Sequence, residues 1–252
     1  MKFDISPLRN LRGKDLSAQG LIALEGRIVV EKALESGTRL LGALVGADAE
    51  CSWLERLKPE FPIERIPNAE IESIVGFKFH HGVLALAERP NILPFAPRDQ
   101  AFDRTAAFLC LWNVTDPSNL GALARSAFGL GAAGLILGPG CADPFYRKTL
   151  RSSMGNVLSL PLYSCGLSDL GAAREAGLKL VAASLSPESL PISSFEAPSR
   201  LVLLLGNEGF GLPREVLDIC DAQVYIPMKP GLDSLNVAAA GSILMYELFR
   251  RR

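Results

Sequence analysis

The sequence predicts an α/β protein in which a small α/β domain precedes a larger domain built on a parallel sheet. After residue 105, apolar strand-like segments alternate with helical segments, and the strand-like segments are apolar on both faces. This rhythm is typical of parallel strands covered by helices. Before that region, the segment 89–104 contains three prolines and no apolar periodicity, which indicates a linker. We therefore expect domains at 1–95 and 106–252, joined by a linker at 96–105.

The apolar pattern gives each element in order. In the first domain we expect a helix at 21–35, a strand at 40–45, a short helix at 52–57 and a closing strand at 82–87. In the second domain we expect strands at 106–112, 133–137, 179–184, 200–205 and 222–227. A helix of small residues follows from about Val237. Parallel sheets bind ligands beyond the carboxyl ends of their strands, so the loops after these strands are the candidate sites.

Composition bounds the class of protein. The 252 residues are 48% hydrophobic with a net charge of −1, so any surface for nucleic acid must be a local patch. The apolar segments are too short to cross a membrane, and the N-terminal residues lack the apolar region of a signal peptide. The five cysteines form no CxxC pair, so we expect reduced thiols, no metal site and a cytoplasmic location. The adjacent His80 and His81 have no third ligand nearby.

The first candidate loop follows the strand at 106–112. Asp116 and Pro117 form a turn, and Ser118 or Asn119 is expected to cap the next helix. Arg125 lies six residues after Asn119, among small and apolar residues. Such an arginine either extends from a surface or is held near an anion, and spacing alone leaves both open.

The second candidate loop is rich in glycine. Gly206, Gly209 and Gly211 follow an apolar strand, and glycine permits close approach of the backbone to a ligand. The spacing is neither GxGxxG nor a P-loop, which argues against a Rossmann-type oxidoreductase and a P-loop nucleotidase. Glu208 is expected to orient this loop, and a simple strand-to-helix turn is the alternative interpretation.

Two further segments stand out. The C-terminal loop 226–236 carries several turn formers just before a helix, so its backbone polar groups can hold a small polar ligand. Arg147, Lys148 and Arg151 form the most concentrated positive charge of a balanced chain. A charge cluster is usually a solvated face, but here it is the best candidate for contact with phosphates.

Taken together, these segments resemble the SpoU (TrmH-like) branch of the SPOUT RNA methyltransferases. The first family motif, Asn/Asp-Pro-x-Asn-x-Gly-x-x-x-Arg, is matched at 116–125, and the second, Gly-Asn-Glu-Gly-x-Gly, at 206–211. The third, Ile-Pro-Met followed by Ser-Leu-Asn-Val, is matched at 226–228 and 234–237. The match covers about 106–252. More weakly, residues 18–90 resemble the α/β substrate-binding domain that often precedes this catalytic domain.

The resemblance implies a deep trefoil knot in the C-terminal domain, one bound S-adenosylmethionine and a homodimer that acts on structured RNA, rRNA rather than tRNA. By family likeness the cofactor-binding residues are Leu205, Gly206, Asn207, Gly209, Ile226, Met228, Leu235 and Asn236. The likeness assigns catalytic or orienting roles to Arg125, Asn119, Glu208, Ser234 and Asn236. The concentrated charge of Arg147, Lys148 and Arg151 makes these three residues the expected contacts with RNA.

The implied reaction is transfer of a methyl group to a ribose 2′-hydroxyl in rRNA or tRNA. Arg125 stays protonated as a free side chain, so it is expected to clamp the RNA phosphate beside the target nucleotide. Either that phosphate or an arginine perturbed by the site then takes the proton. The alternative is a catalytically silent RNA-binding protein or chaperone that retains the knot and the cofactor pocket.

Overall fold

The computed structural model describes residues 3–11, 16–56, 60–80, 82–97, 106–231 and 234–249. Four of the sequence predictions fall partly outside these ranges. They concern the linker at 98–105, the helix end at Leu57, the histidine pair at His81 and the C-terminal loop at Asp233.

The described part of the chain contains twelve strands and eight α-helices. In its first part they are β1 (Leu21–Glu25), α1 (Arg27–Glu35), β2 (Leu40–Gly46), α2 (Ser52–Arg56), β3 (Ile63–Ile66), α3 (Asn68–Val75) and β4 (Val83–Glu88). The later elements are β5 (Leu93–Pro94), β6 (Ala107–Leu111), α4 (Pro117–Gly129), β7 (Gly134–Leu137), α5 (Arg147–Ser152), β8 (Leu162–Ser164), α6 (Leu167–Glu175), β9 (Lys179–Ala183), β10 (Leu190–Pro191), β11 (Leu201–Leu205), α7 (Arg214–Asp218), β12 (Ala222–Tyr225) and α8 (Val237–Phe249).

The chain divides into two compact units. The first comprises Met1–Pro90 with Phe145–Ser159, and the second comprises Asn91–Pro144 with Leu160–Arg252. The first boundary lies near the expected linker, but the segment Phe145–Ser159 falls in the first unit, whereas the sequence assigned it to the second domain. This segment belongs to the first unit because it packs against β1 and α1. α5 packs against β1, and Gly155 lies so close to α1 that a Cβ there would be 3.2 Å from the Cα of Val29.

The first unit contains a mixed four-stranded sheet in the order β1-β4-β2-β3. β4 is antiparallel to β1 and β2, and β3 is parallel to β2. The core of the unit includes Leu44, Ile71, Phe79 and Leu84. The helix expected at 21–35 is wrong in its first part, because residues 21–25 form β1 and the helix begins at Arg27. A short continuous apolar run fits a buried strand as well as a helix, so periodicity could not separate them.

The second unit contains an eight-stranded sheet in the order β10-β12-β9-β11-β6-β7-β8-β5. Every pairing in it is parallel. The parallel sheet expected from the sequence is thus confirmed, and its five predicted strands are β6, β7, β9, β11 and β12. Sequence reasoning missed β5, β8 and β10, which are only two or three residues long. Because all strands point the same way, their carboxyl ends share one edge of the sheet.

Helix α8 closes this unit by packing on α4 and β11. Gly241 permits the close approach, because a Cβ there would lie 2.4 Å from Leu123 Cδ2 and 2.5 Å from Leu205 Cδ1. The hydroxyls of Ser126 and Ser242 lie 2.8 Å apart across the two helices. In the ranges that the structure describes, no helix combines the length and the apolar character needed to cross a membrane.

The five cysteines are free in the structure, and three of them are buried. Burial raises the pKa of Cys141 to about 11 and that of Cys220 to about 12. A hydrogen bond with Cys165, together with burial, raises the pKa of Cys110. Since the thiolate is the reactive form, these three thiols are nearly inert at neutral pH.

We predict that Cys110, Cys141 and Cys220 react slowly with a thiol-specific disulfide reagent at pH 8. A thiol with a pKa of about 11 is ionised in roughly one molecule in a thousand at that pH. Unfolding in guanidinium chloride should release all five thiols for rapid reaction. The measurement is the absorbance time course with and without denaturant, with modified residues identified by mass spectrometry. Rapid native-state labelling of these three cysteines would contradict the prediction.

Candidate functional site

The candidate site lies at the carboxyl edge of the eight-stranded sheet. The loops that follow the neighbouring strands β12, β9, β11 and β6 meet there. This is the place that parallel topology predicts for a ligand. Residues from all three sequence motifs lie in or directly beyond these loops.

Asp116 begins α4 and is its N-cap. Its Oδ1 accepts hydrogen bonds from the backbone N–H groups of Ser118, at 2.6 Å, and Asn119, at 3.1 Å. The expectation that Ser118 or Asn119 caps this helix is therefore wrong. Pro117 follows the cap at the first helical position, where its missing N–H costs nothing. Because Asp116 supplies the cap, the side chain of Asn119 is available for other contacts.

The amide of Asn119 joins the three motif loops. Its Nδ2 donates to Glu208 Oε1 at 2.8 Å, and its Oδ1 accepts from Asn236 Nδ2 at 3.0 Å. The structure therefore brings together three of the predicted site residues. Asn236 also caps α8, since its Oδ1 accepts from the backbone N–H groups of Ala238, at 2.9 Å, and Ala239, at 3.4 Å. One polar network thus links the start of α4, the glycine-rich loop and the start of α8.

Asn207 holds the glycine-rich loop in shape. Its backbone pairs with Gly211 in both directions, at 3.0 and 2.9 Å. Its Oδ1 accepts from the N–H groups of Gly209 and Phe210, and its Nδ2 donates to the carbonyl of Asn113 at 2.9 Å. The side chain of Asn207 is thus occupied within the protein, and its contacts indicate a scaffolding role.

A cavity of about 610 Å³ lies beside this loop. It is lined by most of the residues predicted to bind a cofactor, namely Leu205, Gly206, Asn207, Gly209, Ile226, Met228 and Leu235. Glu208 and the exposed Ser234 also line it. Asn236, which was predicted both to bind the cofactor and to orient the site, lies outside the lining and instead bonds to Asn119.

Sequence reasoning missed one wall of this cavity. Ser184, Leu185 and Ser186 follow β9, which lies between β12 and β11, and line the cavity together with the motif loops. Ser186 Oγ donates to Gln223 Oε1 at 2.8 Å, which ties this wall to β12. The only sequence signal was the change from an apolar strand to a serine-containing loop at the carboxyl end of β9.

Phe210, in the glycine-rich loop, also lines the cavity, and its side chain is 92% exposed.

Arg125 lies on α4 and is exposed. It is not part of the cavity lining. Among the described residues its guanidinium has no hydrogen-bond or ion-pair partner. Of the two interpretations that the sequence left open, the structure shows a surface arginine with its donors available to a ligand.

The basic cluster on α5 belongs to the first unit, and its arginines differ in availability. Arg147 pairs through Nε with Glu25 Oε1, and its Nη1 donates to the Leu11 carbonyl at 2.9 Å. Its guanidinium also lies 4.2 Å over the ring of Phe77. The Glu25 side chain is 1% exposed and that of Arg147 18%, so Arg147 neutralises a buried carboxylate. These contacts argue against the predicted phosphate contact of Arg147.

The other two basic residues remain at the surface. Lys148 is exposed, and the Arg151 side chain is 49% exposed with its Nη1 3.6 Å from Glu25 Oε2. Their predicted contact with RNA stays a prediction. The predicted RNA contact of Arg147 likewise stays a prediction, and that contact would compete with the ion pair to Glu25.

Comparison with known protein families is consistent with these motifs. Residues 106–246 match the model of the SpoU rRNA Methylase family. An uncharacterized tRNA/rRNA methyltransferase of Mycobacterium tuberculosis is 37% identical over 248 residues, which cover 93% of this chain and 82% of that protein. The 23S rRNA (guanosine-2'-O-)-methyltransferase RlmB of Acinetobacter baylyi is 29% identical over 195 residues, 75% of this chain and 79% of that protein.

Solved structures match over nearly the whole chain. The AdoMet-bound rRNA methyltransferase from Sinorhizobium meliloti has a TM-score of 0.85 and 27% identity, with 98% of this chain and 94% of that one covered. The SpoU methyltransferase AviRb from Streptomyces viridochromogenes, in complex with AdoMet, has a TM-score of 0.82 and 26% identity. In that comparison 98% of each chain is covered.

We predict that Gly206→Ala destabilises the protein, because the new Cβ would lie 2.3 Å from the carbonyl carbon of Gly211 and 2.4 Å from Leu212 N. Backbone atoms cannot yield as a flexible side chain does, so the expected loss is about 3 kcal/mol, roughly 6–12 °C in Tm. Gly209→Ala in the same loop is the matched control, since its Cβ would meet only Asn207 Oδ1, at 3.5 Å. Thermal unfolding followed by circular dichroism measures both. Equal Tm values for the two variants would be inconsistent with the tight backbone packing at Gly206.

Proposed function

The chain belongs to the SpoU rRNA methylase family, and we propose that it transfers a methyl group from S-adenosylmethionine to a ribose 2′-hydroxyl of structured RNA. We propose rRNA rather than tRNA, since the relative from Acinetobacter baylyi is named as a 23S rRNA 2′-O-methyltransferase. The observation that carries the proposal is the cavity of about 610 Å³ beside the Asn119–Glu208–Asn236 network. The intact first and third motifs favour an enzyme over the catalytically silent alternative.

The cavity fits the proposed cofactor in size and chemistry. Its volume is within the range of about 300–1,000 Å³ that is usual for small-molecule sites. Leu205, Val224 and Leu244 give it an apolar wall suited to an adenine ring, and Ser184 adds a hydroxyl. We propose that Gly206, Ile226 and Leu235 hold the cofactor through backbone groups and that Met228 packs on the adenine. When bound, S-adenosylmethionine supplies a methyl group already activated by the sulfonium.

Asn119, Glu208 and Asn236 act in this proposal as positioning residues. The Asn119 amide uses one N–H and one oxygen lone pair within the protein, and these two bonds fix its orientation. The network fixes the glycine-rich loop and the start of α8, which both line the cavity. Rigid walls hold the two reactants in line, which is the main contribution that a protein makes to a methyl transfer. Ser234, exposed at the cavity, is the proposed contact to the ribose.

Arg125 is the proposed contact to the RNA. An exposed guanidinium without a partner among the described residues can bind a phosphate with two parallel hydrogen bonds. The 2′-hydroxyl must lose its proton as its oxygen bonds to the methyl carbon. The phosphate held beside the ribose is the proposed acceptor of that proton, and an Arg125 perturbed by the same contact is the second candidate.

The proposed assembly is a homodimer that uses α4 and α8. These helices pack together, and each exposes large apolar side chains. Phe128 is 40% exposed, Ile243 42% and Tyr246 51%. Ile243 and Tyr246 are three residues apart and so lie on one face of α8. The trefoil knot implied by the family resemblance and the cytoplasmic location expected from the cysteines are also part of the proposal.

We predict that Arg125→Ala lowers methyl transfer by about 100-fold or more, as expected when a charged contact to the reacting group is lost. The measurement is incorporation of labelled methyl groups into total RNA from cells that lack the protein, with 2′-O-methylation identified by resistance of the linkage to alkali. Affinity for S-adenosylhomocysteine should stay within about twofold, since Arg125 does not line the cavity. The methyltransferase proposal fails if wild type incorporates no more label than Arg125→Ala into any RNA pool.

We predict that the protein sediments at twice its chain mass of 27.1 kDa and that Ile243→Asp shifts it to the monomer. A buried unpaired carboxylate opposes association of the apolar faces. Leu93→Asp is the control, because Leu93 is 52% exposed but lies on β5 rather than on α4 or α8. Sedimentation velocity at micromolar concentration distinguishes the species. A monomeric wild type, or dissociation by Leu93→Asp alone, would refute the proposed interface.

A further inference from the structure

A second cavity lies next to the cofactor cavity on the same edge of the sheet. Its volume is about 340 Å³, and its lining includes Trp112, Asn113, Pro139, Gly140, Phe210 and Pro213. These residues follow β6, β7 and β11, which are neighbouring strands. The cofactor cavity lies over β9, β11 and β12, so the loop after β11 separates the two cavities.

Phe210 and Gly211 line both cavities and form their common wall. Phe210 is 92% exposed, although a phenylalanine ring gains free energy when it is removed from water. The loop that carries it is held by the bonds of Asn207 to Gly209, Phe210 and Gly211. The loop therefore holds an uncovered aromatic ring at the boundary of the two cavities, where a planar ligand could stack on it.

The remaining walls offer flat apolar surfaces. Trp112 is held against Gly138, where a Cβ would lie 2.4 Å from the indole Cε3. The rings of Pro139 and Pro213 add further flat surface. A planar ligand is the kind of molecule that such walls accommodate, and a base stacks on an aromatic side chain whatever its identity.

Asn113 supplies the polar group of this cavity. It is exposed and has a φ of 56°, a left-handed conformation that is uncommon for residues other than glycine and that often marks functional sites. Its carbonyl accepts from Asn207 Nδ2 at 2.9 Å, which fixes it to the common wall. Among the described residues its side-chain amide has no hydrogen-bond partner, so a donor and an acceptor remain for a ligand.

We propose that the second cavity binds the nucleobase of the nucleotide that is modified, stacked on Phe210 with its edge toward Asn113. This inference rests on the proposed function. The base is joined directly to the ribose that accepts the methyl group, so it must lie beside the cavity that holds the methyl donor. The second cavity shares a wall with that cavity. Its flat apolar sides and single amide match a base better than a phosphate, for which its lining contains no cation.

Equilibrium binding of short RNA tests this site without requiring catalysis. The probes are four fluorescein-labelled ribotetranucleotides, each with one type of base, titrated with the S-adenosylhomocysteine-bound protein and followed by fluorescence anisotropy. We expect at least one probe to bind wild type, and Phe210→Ala to weaken that binding by about 5- to 150-fold, the equivalent of one stacked base. Phe210→Trp should restore it, because the aromatic face is retained.

Two further variants test the proposed contact of Asn113 with the base and provide a control. Asn113→Gly keeps the positive φ and the backbone carbonyl but removes the amide, and should reduce the difference in affinity among the four probes. Leu190→Ala is the matched control, because Leu190 is 50% exposed and lines neither cavity. It should leave the affinity for the probes and for S-adenosylhomocysteine unchanged.

The nucleobase site is refuted if no probe binds wild type, or if Phe210→Ala binds the probes as tightly as wild type. Its failure is distinguishable from failure of the proposed function. A protein that binds a probe through Phe210 but methylates no RNA retains the nucleobase site and loses the methyltransferase assignment. A protein that methylates RNA while Phe210→Ala binds probes normally retains the methyltransferase assignment and loses the nucleobase site.

Discussion

The two hydrogen bonds of the Asn119 side chain determine how the candidate site is assembled. They join residues 89 and 117 positions apart in the sequence, so they form only when the sheet has brought β6, β11 and α8 together. An amide suits this position because it donates and accepts at the same time, which an ionised carboxylate cannot do. Asp116 makes the arrangement possible by capping α4 in place of Asn119. The site therefore depends on two short polar side chains in one turn: Asp116 caps the helix, and Asn119 joins the loops.

The same edge of the sheet carries two cavities, and strand order explains why they are adjacent. β11 lies between β9 and β6, so its loop faces the cofactor cavity on one side and the second cavity on the other. Asn207 stabilises both faces of that loop, with its backbone bonded to Gly211 and its amide to Asn113. A reaction between two bound molecules needs a shared boundary of this kind, since the reacting atoms must come into contact.

Sequence reasoning predicted the parallel sheet, its five longer strands and the motif loops, because each is encoded by a local pattern. The sequence predictions were wrong where one local pattern is compatible with two structures. The apolar run at 21–25 fits a strand or a helix, and Asp116, Ser118 and Asn119 are all good caps. Sequence reasoning also failed where the partner is distant. The sequence around Arg147 does not reveal whether this side chain is solvated or forms an ion pair. Its partner in the structure, Glu25, is 122 residues away in the sequence.

The order of the cavity-lining residues along the chain has a consequence for biosynthesis. Chains emerge from the ribosome N-terminus first, so residues 226–244 are made after every other part of the cavity. The central pairing of β6 with β11 also joins distant parts of the chain, which slows folding because loop closure must precede the contacts that repay it. A nascent chain can thus complete its central strands while it still lacks a pocket. The cavity can bind a ligand only after residues 226–244 have been synthesised and have packed against the earlier lining residues.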